Sequence, residues 1–436
     1  MSESNATTIT PPDTPESVEY LKAEADMDSD LLNESSQSIC WTTTVPAPKT
    51  TNPSSWPPYD PVAQPRSHFP SDSLLAGTEP LIWQALGTTL APQLQAYSKQ
   101  VAIRQALRSI RLGWIATNTT PFRIVVGKLY DQALAIVKQK QQQKSLPAFR
   151  NKRVKYTTTE QLPSIQIDTT PVPPNSTIQG PLALPTAFTR KQRMAVWHDL
   201  ETYGACVIRN AVSMHDLAAM TPTTTAKDDT RQGIKIYRLA ETMGNGVAGT
   251  PPSRYFDLPK PHSACLLELE TTLWNLLLER EGGDEMGDNP QFTKGGPEAP
   301  SPRKSIFLQY GAGAENWAHQ DNNRQKVPIQ AVLLTSQPEA DFDGGEFYVA
   351  KRQQQQEQRD EPKDDGPHVL KFCRHVVSWQ NTGDLVLFQA GKDTGWSHGM
   401  MPVKEVSSQT DGDSTNHNHG DRSVYARQTI GMLQPV

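Results

Sequence analysis

At 436 residues the chain exceeds one ordinary domain, taking about 150 residues per domain as a soft prior, and two folded units with extensions are the starting expectation. Only 36% of its residues are hydrophobic and 36 are proline, so a good part is expected to be loop or tail rather than core. A net charge of −5 carries no global signature of nucleic-acid or membrane attraction, and the 4 cysteines (Cys40, Cys206, Cys265, Cys373) form no C-x-x-C pair, which argues against a zinc knuckle and a disulfide-stapled scaffold.

The first twenty residues have no basic region followed by an apolar one, and no uninterrupted apolar run approaches ~18 residues. An intracellular protein, cytoplasmic or nuclear, with no membrane partner is the expectation. Residues 1–75 are rich in Ser, Thr, Pro and acid, which predicts a disordered tail. Residues 76–160 read as a basic helical segment. Ile103, Leu107, Ile110 and Trp114, then Leu129, Ala133 and Ile136, recur at helical spacing on either side of Thr119-Thr120-Pro121.

Over 99–155, Lys99, Arg104, Arg108, Arg111, Arg123, Lys128, Lys138, Lys140, Lys144, Arg150, Lys152, Arg153 and Lys155 face a single acid, Asp131. Such an excess can track a phosphate backbone, which keeps nucleic acid open as a partner through this segment. Sparse aromatic interleaving favours the plainer reading of a solvated helix face followed by a basic linker. Residues 161–185, containing PVPPNSTIQGPLALP, read as a Pro-rich linker.

Residues 186–436 form the remaining domain. AFTRKQRMAVWHDLETYG predicts a helix, ACVIRNAV a strand, SMHDLAAM a short capped helix and SACLLELETTLWNLLLER a longer one, its Leu266, Leu269, Leu273, Trp274 and Leu277 sharing a face. Then SIFLQYG, PIQAVLLTS, DGGEFYVAK, HVVSWQ, GDLVLFQ and RQTIGML each read as a strand bounded by turn residues. No βαβ alternation intervenes. The predicted fold is therefore α+β, an antiparallel double-stranded β-helix (jelly-roll) barrel with flanking helices, with loop insertions at 281–302, 351–367 and 404–421.

After SIFLQYG and a Gly-rich turn comes Trp317-Ala318-His319-Gln320-Asp321. A His and an Asp two apart on extended backbone project to one side, as two ligands of one metal must. Past the GDLVLF strand, GWSHGMMPV supplies His398. Two imidazoles and a carboxylate make a facial triad that suits Fe(II) and leaves three positions open, whereas structural zinc prefers four protein ligands. Open positions fit a chelating 2-oxo acid and O2.

A dianionic cosubstrate needs its distal carboxylate paired, and an arginine fork does this bidentately. Arg427 and Thr429, at i and i+2 of the last strand, face the same way; Arg422, five residues before Arg427, has the opposite parity and loop-like company. Tyr310 either reaches the cosubstrate carboxylate with its hydroxyl or packs as a rim aromatic. Trp396 reads as a pocket wall or core, and His368, His375, His417 and His419 as loop or surface residues.

The succession YGAGAENWAHQD, IQAVLLTSQPEADFDGGEFYVA, GDLVLF, a His-Gly pair at 398 and 399, and RQTIGML resembles the 2-oxoglutarate/Fe(II) oxygenases related to the prolyl hydroxylases, over about residues 190–436 and including YFDLP at 255–259. The resemblance implies that His319, Asp321 and His398 hold iron and that Arg427 with Thr429 meets 2-oxoglutarate. It also implies a dioxygenase using Fe(II), 2-oxoglutarate and O2, with ascorbate as a supporting reductant, that hydroxylates a C–H bond and releases succinate and CO2. Asp321 fills the iron position a halide would need, which favours hydroxylation over halogenation. The prime substrate, protein or small molecule, is unidentified. By fold-level analogy a protein side chain comes first; a nucleic-acid oxidase and a non-catalytic binding barrel are the alternatives.

Overall fold

The computed structural model describes residues 41–45, 56–61, 68–71, 73–93, 99–116, 119–145, 163–178, 180–182, 188–222, 236–238, 253–258, 262–278, 304–321, 329–353, 369–390, 394–404, 406 and 426–434. The helices are α1 (Glu79–Gln93), α2 (Lys99–Ser109), α3 (Thr120–Ser145), α4 (Arg190–Tyr203), α5 (Met214–Met220) and α6 (Ala264–Leu278). Pro80 and Pro121 stand in the first turns of α1 and α3, where a missing N–H forfeits no helical bond. α4 opens with a capping box in which Thr189 and Gln192 satisfy each other's backbone N–H, and Ser213 caps α5 by accepting from Asp216 N.

The strands are β1 (Trp41–Val45), β2 (Ser164–Pro171), β3 (Ala205–Ile208), β4 (Ile236–Arg238), β5 (Ser253–Asp257), β6 (Lys304–Tyr310), β7 (Asn316–His319), β8 (Ile329–Leu334), β9 (Asp343–Gly344), β10 (Phe347–Arg352), β11 (Val369–Val377), β12 (Leu385–Gln389), β13 (Ser397–Met400), β14 (Val403–Lys404) and β15 (Arg427–Gln434). Among the described residues they form a six-stranded sheet ordered β1-β2-β11-β10-β13-β7, a seven-stranded sheet ordered β3-β12-β8-β15-β6-β5-β4, and a short β14-β9 ribbon. Pairing within these sheets is antiparallel except between β2 and β11, which run parallel.

Period-two alternation sorts the side chains into three cores. Ala205 and Val207, Val386 and Phe388, Phe347 and Val349 from alternate positions of β3, β12 and β10 meet in one cluster shared by both sheets. The intervening positions Cys206, Ile208, Leu385 and Leu387 pack instead with Val196, Leu200, Leu217, Leu266, Leu269 and Leu273 of α4, α5 and α6. On the other side, Ile165, Ile167, Ala318, Tyr348, Ala350 and Phe372 of the six-stranded sheet join apolar residues of α1, α2 and α3, among them Leu86, Leu107 and Val126. Each fully buried Leu or Phe contributes roughly 1.5–3 kcal/mol of apolar burial.

Several expectations change here. The 161–185 stretch read as a linker opens with β2, whose Ile165 and Ile167 alternate into the helix-side core and whose backbone pairs with β11. The 1–75 stretch read as a tail contains β1, a β-branched WTTTV run paired with β2, and it buries Phe69, Leu74 and Leu75. The remainder of that stretch lies largely outside the described residues. The strand expected at HVVSWQ begins earlier, at Val369. No described helix is long and apolar enough to cross a membrane.

Candidate metal centre and anion site

His319 ends β7, and Asp321 follows two residues later. His398 lies on β13, directly opposite His319 in the antiparallel register. Their ring centroids are 4.3 Å apart; Asp321 Oδ1 lies 3.6 Å from His319 Nε2 and Asp321 Oδ2 lies 3.7 Å from His398 Nε2. Each side chain offers one donor atom within 4.8 Å of the others, the one such group of three among the described residues. Cis donors at about 2 Å from a shared cation stand about 3 Å apart, so this set needs only slight contraction to hold one.

The protonation states suit a cation. His319 Nδ1 lies 2.7 Å from the Trp317 carbonyl oxygen, to which only an N–H can donate, so Nε2 is the nitrogen turned toward Asp321. Burial pushes His398 down to about 3, helped by the neighbouring His319 and opposed by Asp321, so its imidazole stays neutral. Asp321 is held below its ordinary range: burial alone would raise it, but His398, His319 and the nearby Gln330 amide outweigh that. Phe347 and Phe388 wall the His398 ring at 6.1 and 4.7 Å between centroids.

Arg427 begins β15 and is 2% exposed, with Thr429 at 1%; both are on the face opposite Ile430 and Met432, which pack toward the helices. The Arg427 guanidinium lies between the rings of Tyr310 and Trp379, 5.3 Å from each centroid, and Trp379 is itself fixed by donating Nε1–H to the Gly345 carbonyl oxygen at 3.0 Å. Among the described residues Arg427 has no ion-pair or hydrogen-bond partner, and its buried Nε is unsatisfied. Burial pushes Arg427 down to about 10, against the pull of Tyr310 and Glu346, and burial likewise raises the Tyr310 hydroxyl against the effect of Arg427. A buried, unpaired guanidinium is destabilising by itself and favours an anion as partner. Gly345 makes room for it: at φ 62 a Cβ there would sit 2.8 Å from Arg427 Cδ.

Other candidates fall elsewhere. Arg422, His368, His417 and His419 lie outside the described residues. Trp396 is buried in the inter-sheet core beside the His375 ring. His375, read as a loop or surface residue, lies within β11, its Nδ1 2.5 Å from Thr170 Oγ1 and its ring against Tyr203 and Trp396; the strand's unseen upstream extension misled that reading.

Two residues escaped the sequence reading. Gln330 on β8 is fully buried, faces Phe388 across the ladder, and has both amide heavy atoms unpartnered. A polar residue in an otherwise apolar strand was the available signal. Gly399 allows β13 to approach β7, since a Cβ would sit 2.5 Å from the Asn316 carbonyl oxygen and 2.4 Å from the Tyr348 hydroxyl.

Residues 292–373 match the family Oxygenase-NA, described as an oxygenase catalysing oxidative methylation of damaged DNA, and this region contains the His319–Asp321 pair. By this match, residues 292–373 are similar to an oxygenase family. No curated protein matches this chain. Solved structures similar to it include a prolyl-4-hydroxylase from Pseudomonas putida at 14% identity, covering 55% of this chain and 95% of that one with a TM-score of 0.30. A 2OG-Fe(II) oxygenase-family oxidoreductase from Burkholderia pseudomallei is 11% identical, covering 57% and 92% with a TM-score of 0.30. A bsmA homolog from Methylobium petroleophilum is 14% identical, covering 58% and 94% with a TM-score of 0.25. The matched family is one of oxygenases, which are oxidoreductases.

Proposed function

We propose that this oxygenase holds Fe(II) with His319, Asp321 and His398, anchors the distal carboxylate of 2-oxoglutarate with Arg427 and Thr429, and hydroxylates a C–H bond of its prime substrate. The observation that carries this reading is a triad of two imidazoles and a carboxylate lining the same inter-sheet core as an unpaired buried guanidinium. The fold is read as a double-stranded β-helix. Its support is the way the chain passes between sheets, from β6 to β7, β8, β10, then β11, β12, β13 and β15.

Iron bound with 2-oxoglutarate and O2 supplies the oxidising power, converting C–H to C–OH with succinate and CO2 as co-products. The chain's part is placement. The Trp317 carbonyl fixes the tautomer of His319, and Phe347 and Phe388 keep water from His398. Tyr310 and Trp379, each 5.3 Å from the guanidinium, hold it in place for a carboxylate to meet its fork.

A protein side chain as substrate rests on analogy alone. The description of the matched family favours a second reading, a nucleic-acid oxidase. Some of the basic segment is committed internally: Lys99 pairs with Asp131 at 2.7 Å, Lys140 lies 5.4 Å from the centre of the Trp56 ring, and Arg104 pairs with Glu315 at 3.5 Å. Arg111, Arg123 and Lys138 are exposed and available to phosphate.

Anaerobic titration with Fe(II) and 2-oxoglutarate, followed by admission of O2 in the presence of ascorbate, tests the activity. Wild type is expected to release succinate and His319→Ala none. Equal succinate from both proteins, or none from either, removes the reading. A salt-sensitive affinity for single-stranded DNA that falls with Arg111→Ala and Arg123→Ala would favour the nucleic-acid substrate.

A further inference from the structure

We infer that Trp114–Ala116, together with Arg104, form a positioning brace for the strand that carries His319, so that the N-terminal helical layer is a working part of the metal site. This rests on the reading of His319 as a metal ligand. β7 is an edge strand whose ladder with β13 holds only two register pairs, His398↔His319 and Met400↔Asn316, with an irregularity between them. An edge strand this short leaves its outer N–H and C=O groups open and its direction weakly held.

The stretch after α2 closes that edge. Ile115 bridges Ala318 in parallel, Ala116 N–H donates to the Ala318 carbonyl oxygen at 2.9 Å, and Ala318 N–H donates to the Trp114 carbonyl oxygen at 2.8 Å. Tyr348 of β10 donates its hydroxyl proton to the same Trp114 oxygen at 3.2 Å, tying the brace to the sheet interior. Leu112, Ile115 and Ala116 are buried, and the Trp114 ring meets Tyr348 and Phe372 edge-on at 6.2 Å.

Arg104 completes the hold from α2. Its guanidinium lies 3.8 Å from the centroid of the Trp317 ring, and its Nη2 lies 3.5 Å from Glu315 Oε1, just before β7. Trp317 is also the residue whose carbonyl oxygen orients the His319 imidazole. The brace thus grips Trp317 by its ring and Ala318 by its backbone, the two residues that decide where His319 Nε2 points. Groups that orient a metal ligand typically alter metal affinity by about 10–100-fold when removed.

The test is anaerobic Co(II) titration of the full chain, read by visible absorption, beside the melting temperature of the metal-free protein. Arg104→Met is expected to weaken Co(II) binding about tenfold at an unchanged metal-free melting temperature, with Arg104→Lys recovering part of the loss. Ala116→Pro, which deletes one of the two backbone donors, is expected to weaken it further; if that variant does not fold, Arg104→Met decides. Co(II) affinities for Arg104→Met and a folded Ala116→Pro within twofold of wild type overturn the brace while leaving the metal site intact. A wild-type chain that binds Co(II) no better than His319→Ala sinks the metal reading and the brace with it.

Discussion

β15 carries Arg427 and β7 carries His319 to the same inter-sheet core, yet they are held in different ways. β15 is bonded on both edges, to β6 and β8, and Arg427 and Thr429 inherit their direction from a ladder that admits one register. β7 has four residues and one sheet neighbour, β13, which approaches closely at Gly399, so the direction of His319 depends also on contacts from outside the sheet, those of Ala116, Trp114 and Arg104. A central strand can carry a functional side chain on backbone pairing alone. An edge strand needs side chains and borrowed hydrogen bonds to reach comparable precision.

The largest expected effect breaks the central strand's chemistry without disturbing its ladder. Arg427→Met keeps apolar bulk between Tyr310 and Trp379 and removes the charge. It is expected to weaken 2-oxoglutarate binding roughly 100-fold or more, read by calorimetry on the metal-loaded protein. The metal-free variant should melt higher than wild type, because a buried guanidinium without a partner is gone. A lower melting point together with unchanged binding would show that Arg427 serves the core.

Next comes the edge strand. Gly399→Ala forces a methyl group against the Asn316 carbonyl oxygen and the Tyr348 hydroxyl, parting β13 from β7. A loss of about 1–3 kcal/mol in stability is expected from overpacking, with Co(II) affinity falling more than the stability change would explain. Unchanged Co(II) binding would mean that the pair tolerates a wider gap.

The smallest effect lies away from both strands, at His375 on β11. Burial lowers His375 from its ordinary value of 6.5, so the unfolded chain takes up the proton first. Its contribution to stability is complete above that value and is lost as pH falls through the lower folded value. Replacing it (His375→Gln) should shrink the difference in melting temperature between pH 7 and pH 5 by about a degree, with metal binding unaffected. A steeper pH dependence in the variant would contradict this sign.

Local pattern determined much of this molecule. Strands such as LVLFQ and FYVAK were readable as short apolar and β-branched runs bounded by turn residues, because both of their faces are buried. The capped helices at 190 and 214 were readable because Thr189 and Ser213 satisfy their neighbours' N–H groups within three residues. The i and i+2 spacing of His319 with Asp321, and of Arg427 with Thr429, set their shared faces before any fold was known. Long-range proximity was not readable in this way. The parallel pairing of β2 with β11, the buried amide of Gln330, the glycine at 399 and the bond between Ala116 and Ala318 join residues that no periodicity connects. The short-range pattern dictated which way side chains point, because backbone geometry repeats over two or four residues. Which strands became neighbours, and which buried polar groups met in the inter-sheet core, depended on the simultaneous packing of two sheets and two helical layers.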